Sequence, residues 1–112
     1  MWIFTKFGFF SVVKKDGDDF LTVRSRVLGD LDNLKKLYLP KLSKIIKNAG
    51  TDYPYRAKVA KDDFADGMYK ISMDIDYSNF KDEVKILMGN DRANTYGNVW
   101  AALFTLEHDN FK

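Results

Sequence analysis

A chain of 112 residues with 18 basic and 16 acidic side chains, a formal charge of +2, one histidine and no cysteine has the length of a single domain, 1–112, that can close a core without disulfides or metals. The missing cysteines exclude disulfides, thiolate nucleophiles and Cys-ligated zinc. Near-balanced charge argues against a nucleic-acid or membrane partner recruited by bulk electrostatics.

The 15% aromatic content is concentrated at the start, in MWIFTKFGFFSVV. Trp2, Phe4, Phe7, Phe9 and Phe10, with Ile3, Val12 and Val13, suit a pleated, half-buried surface. Gly8 offers a chain reversal between two strands. The segment lacks the basic start and small-residue cleavage site of a secretory signal. No apolar run reaches the roughly 20 residues of a transmembrane helix, so a cytoplasmic protein is expected.

Asp16-Gly17 is a turn pair. Phe20 to Val27 then alternates Leu21 and Val23 with Thr22, Arg24 and Arg26, which predicts a strand with one packed and one wet face. The spacing of Leu31, Leu34, Leu42, Ile45 and Ile46 predicts a kinked helix, or two short ones, from Asp30 to Ala49. Asp30 is its expected N-cap, and Pro40 the first residue of its second half. Tyr53 to Ala60 reads as a fourth strand, with Arg56 and Lys58 on one parity and Pro54 at its start.

Phe64, Met68, Ile71 and Ile75 form a helical stripe beginning at Asp62 or Asp63. Asn79 caps a short helix with Phe80, Val84 and Leu87 facing inward. A last helix after Gly89-Asn90-Asp91 carries Tyr96, Val99 or Trp100, Leu103 and Leu106, and the tail from Glu107 to Lys112 is expected to fray. The order β-β-β-α-β-α-α-α predicts an α+β fold, a four-stranded mainly antiparallel sheet with helices packed on one face. A right-handed crossover between the third and fourth strands would make it a relative of ferredoxin-like sandwiches.

MWIFTKFGFFSVV, LTVRSRV at 21–27, TDYPYRAKV at 51–59, IDYSNFKDEV at 75–84 and VWAAL at 99–103 together resemble a family of small uncharacterised bacterial proteins. The resemblance runs nearly end to end and implies a self-contained cytoplasmic domain. It brings no activity and no catalytic residue.

Enzymatic constellations are hard to assemble here. His108 lies near a helix C-terminus, where the dipole favours a positive imidazole. Without a second histidine or a cysteine, the usual nucleophile–base and His-metal arrangements are missing. Asp16, Asp18 and Asp19 lack calcium-loop spacing and read as a solvated turn; no phosphate loop occurs. No catalytic residue, metal or cofactor is therefore assigned. An enzyme would require Tyr77, Arg56 and Asp74 or Asp76 to converge.

The cations are more informative. Arg24 and Arg26 on one strand, with Arg56 and Lys58 on another, would share a sheet face if the strands are neighbours, bordered by Trp2 and Phe4 of the hairpin. Such a face suits a protein partner, or a second copy through the apolar hairpin. Single-stranded nucleic acid is the alternative ligand, and an inhibitor encoded by a phage or mobile element is an alternative role. A solvated or internally paired basic face is the plainest alternative.

Overall fold

The computed structural model describes residues 1–50 and 52–108. Strands β1 (Trp2–Thr5) and β2 (Gly8–Lys14) form the aromatic hairpin. Its reversal falls on Lys6 and Phe7, with Thr5 opposite Gly8. The Thr5 hydroxyl closes this turn: it donates to the Gly8 carbonyl at 2.7 Å and accepts from the Phe7 N–H at 3.2 Å. The Asp16-Gly17 turn follows, with Gly17 at φ +75°, a conformation glycine adopts without strain. It leads into β3 (Leu21–Ser25), and β4 (Tyr55–Val59) completes a sheet of order β1-β2-β3-β4 in which every pair is antiparallel.

The α+β architecture and element order are those expected, but the crossover is not. β3 and β4 run antiparallel, so the right-handed crossover expected between them, and with it the βαβ unit of ferredoxin-like sandwiches, does not form. The reason lies between Tyr38 and Pro54. Helix α1 spans only Leu28–Leu37; the second half of the expected long helix never forms. Instead the chain travels along the outer edge of β4. Ser43 N–H donates to the Lys58 carbonyl at 2.8 Å, Ile46 and Arg56 exchange both backbone bonds at 2.8 and 3.1 Å, and Ala49 N–H donates to the Pro54 carbonyl at 3.0 Å. Backbone groups that a helix would satisfy internally are satisfied by a strand edge, which is thereby covered. Leu39 and Leu42 still reach the core, which is why their spacing imitates a helix.

One sheet face carries the core. Phe10, Val12, Val23, Ala57 and Val59 pack with Leu31 and Leu34 of α1 and Phe64 of α2 (Lys61–Met73), supported by half-buried Ile3, Leu21, Met68 and Ile71. Each fully buried aliphatic side chain contributes about 1.5–3 kcal/mol relative to exposure. Two expected details differ. α1 begins before Asp30, with Val27 at the cap position and no side-chain cap bond. Asp30 is instead buried, its Oδ2 accepting the Phe9 N–H at 3.0 Å. α2 likewise starts at Lys61 without a side-chain cap, leaving Asp62 and Asp63 in its first turn, where the dipole favours them. Ile75 lies past the helix and is exposed.

The chain divides into two compact units, Met1–Asp76 and Tyr77–Lys112. In the second, α3 (Phe80–Met88) and α4 (Asn90–Leu103) are joined at Gly89, with a 3₁₀ turn over Phe104–His108. Asn79 caps α3 as expected, its Oδ1 accepting the Asp82 N–H at 2.9 Å. Phe80 stacks on Tyr96 with ring centres 5.8 Å apart, and Val84, Ala93 and Tyr96 are buried. Leu87, Trp100, Leu103 and Leu106, expected to face inward, are exposed, while Val99 is half-buried. Of the tail expected to fray, Glu107 and His108 belong instead to the 3₁₀ turn, and residues 109–112 lie outside the described residues.

Candidate binding face

The second face of the sheet is set by parity. Because Val23 and Ala57 point into the core, their neighbours Thr22, Arg24, Arg56 and Lys58 point the other way. Register then lines them up. Trp2 stands opposite Ser11, Ser11 opposite Arg24, and Arg24 opposite Arg56, one row across all four strands. Val13, Thr22 and Lys58 form the next row, and Phe4 and Phe9 flank the first on the hairpin side. Within Met1–Asp76, α1 and α2 pack on the core face, so no helix of this unit lies over these rows.

The aromatic end is a cluster. Phe4 and Phe9 have ring centres 4.5 Å apart, and Trp2 meets Phe9 edge-on at 6.1 Å. Trp2 is 68% exposed although its neighbours are half-buried.

The basic end is more structured than alternation alone suggests. Tyr53, only 5% exposed, offers its ring to two guanidinium groups, Arg24 at 4.6 Å and Arg26 at 4.7 Å from the ring centre. Arg24 also donates to the Ser11 hydroxyl at 2.6 Å, and Arg26 to the Asp52 carbonyl at 2.7 Å. Arg56 Nε donates to the Tyr53 carbonyl at 3.2 Å and its terminal nitrogen lies 3.5 Å from the Asp52 carboxylate. Gly50 packs so closely on that guanidinium that a Cβ would collide with it. Lys58 is paired with Asp18 at 2.7 Å. The Lys58 ammonium, then the Phe20 N–H, hold the Asp18 carboxyl below the usual aspartate range.

Arg24, Arg56 and Lys58, with Trp2 and Phe4, therefore share one face, and Arg26, just past the end of β3, meets the same Tyr53 ring as Arg24. Reasoning from the sequence missed Tyr53, read only as the start of the fourth strand, and Asp18, read as a solvated turn residue. The signal for Tyr53 was Pro54, which holds the preceding residue in an extended conformation. The grouping of Tyr77, Arg56, Asp74 and Asp76 has a different geometry. Asp74 accepts the Tyr38 hydroxyl at 2.7 Å and Asp76 lies 3.9 Å from Lys6, while Arg56 stands on the face away from the core.

Among the described residues no group of three or more His, Asp or Glu could hold a metal ion, and no helix is long and apolar enough to cross a membrane. No protein-family model, curated protein or solved structure matches the chain.

Proposed function

We propose that this protein is a non-enzymatic, cytoplasmic interaction module that docks a protein partner on the second face of its sheet. The observation that carries the reading is the row Trp2–Ser11–Arg24–Arg56 on a face over which neither α1 nor α2 lies. A large exposed aromatic beside arginines is the composition that anchors protein interfaces. Trp2, 68% exposed beside the half-buried Phe4 and Phe9, leaves its ring available to a partner.

The test is site-specific photo-crosslinking in cells, with p-benzoylphenylalanine replacing Trp2 or, as control, Leu37, an exposed residue of α1. A discrete adduct from position 2 and none from position 37 is the expected outcome. Adducts at both positions, or at neither, would overturn the reading. An adduct of twice the chain mass of 13.0 kDa would identify the partner as a second copy.

A further inference from the structure

We propose that the Arg24–Arg56 pair is an anion seat that selects an acidic, apolar-anchored segment of the partner polypeptide. The inference rests on the interaction-module reading and adds the chemistry of the partner to it.

Charge is the first argument. Arg24 and Arg56 are direct cross-strand partners, which places their Cβ atoms about 5 Å apart. Like charges in that position repel. Lys58 is neutralised by Asp18, and Arg56 meets Asp52 only at 3.5 Å, with that carboxylate largely exposed. Arg24 and Arg26 meet no carboxylate among the described residues; their partners are a hydroxyl, a carbonyl oxygen and the Tyr53 ring. Of these three guanidinium groups only Arg56 meets a carboxylate among the described residues. A planar carboxylate is the ligand that a guanidinium fork fits best.

Geometry supplies the second argument. From Trp2 on β1, Arg24 lies two strands away and Arg56 three, a span of about 10–14 Å at the usual strand spacing. An extended peptide covers that distance in about three or four residues. The matching ligand carries an apolar or aromatic side chain for Trp2 and Phe9, and acidic residues that far along.

Nucleic acid fits less well. A phosphate backbone needs a track of cations, and here Lys58 is already paired. Base stacking on successive bases needs several open aromatic faces; on this face Trp2 is exposed, but Phe4 and Phe9 are half-buried and Tyr53 is buried beneath two arginines.

The experiment is fluorescence-anisotropy titration of the full chain with labelled probes. One is a peptide with phenylalanine about four residues before paired glutamates; the others are its glutamine counterpart and an oligothymidylate. The glutamate peptide is expected to bind at least about tenfold more tightly than the glutamine one. Arg24→Gln and Arg56→Gln should each remove about tenfold of that affinity, and Arg24→Lys should recover part of it. Circular dichroism reports whether each variant is folded, and Arg26→Glu reverses the charge at an exposed position next to the pair, at the loss of its Asp52 carbonyl and Tyr53 ring contacts. Equal binding of both peptides, tighter binding of the oligonucleotide, or glutamate affinity unchanged in Arg56→Gln and Arg26→Glu would overturn the proposal. A crosslinked partner at Trp2 without acid selectivity defeats the anion seat alone; acid-selective binding without any crosslink defeats the module reading.

Discussion

The backbone N–H of Phe9 donates to the buried carboxylate of Asp30 across 3.0 Å, fastening the aromatic hairpin to α1. Gly8 makes that approach feasible. A Cβ there would come within 2.7 Å of the Asp30 Cβ and 2.8 Å of the Phe10 ring. Hairpin and helix are joined by a polar bond as well as by packing, and the hairpin presents Trp2 and Phe9 at the proposed interface.

Asp30→Ala should therefore leave the half-buried Phe9 N–H without this acceptor and lower unfolding free energy by about 1–3 kcal/mol. Gly8→Ala should destabilise by a similar or larger amount, because both colliding neighbours are held in the core. Urea unfolding followed by tryptophan fluorescence measures both, and an unchanged midpoint for either variant would contradict the described contact.

A second close approach involves α2. Gly67 faces Leu39, and a Cβ would lie 2.7 Å from Leu39 Cδ2 and 3.1 Å from the Tyr38 carbonyl. Gly67→Ala should destabilise by about 1–3 kcal/mol through overpacking, although alanine is the better helix former by about 1 kcal/mol. Thermal unfolding tests the sign; a stabilised variant would mean that Leu39 has room to yield.

Tyr53 links structure to the binding face. Tyr53→Leu keeps apolar volume but removes the ring beneath Arg24 and Arg26, a loss of about 0.5–2 kcal/mol for the cation–π contacts. Tyr53→Ala should cost about 3–5 kcal/mol, as for other buried aromatics. Comparing the two by chemical denaturation separates ring from bulk, and equal losses would remove the cation–π argument.

Acid should loosen the Lys58–Asp18 pair. The folded carboxyl titrates below its unfolded value because Lys58 and then the Phe20 N–H favour the ionised form. Its contribution is thus complete above the unfolded value of about 3.9 and disappears as pH falls through the lowered folded one. In Lys58→Met the Asp18 titration, followed by carboxyl-carbon NMR, should move upward. An unmoved titration would show that the ammonium is not the cause.

Much of this molecule was legible in its residues. The alternation of Leu21 and Val23 with Thr22 and Arg24 gave the two faces of β3, although Thr22, expected on the wet one, is buried; Asp16-Gly17 gave the turn, and Asn79 the start of α3, because each depends on local sterics or hydrogen bonding. The path from Tyr38 to Pro54 was not legible. Leu39, Leu42 and Ile45 recur at intervals that a helix also uses, and only the edge of β4, supplied from farther along the chain, decides between them. The same distance in sequence hid Tyr53, whose place beside Arg24 and Arg26 depends on how the chain re-enters the sheet.

Tyr53 also bears on the speed of recognition. With both guanidinium groups resting on one buried ring, much of their rotameric freedom has been surrendered during folding rather than at the moment of encounter. An arriving ligand finds its charged receptors already aimed, so association should depend little on side-chain rearrangement.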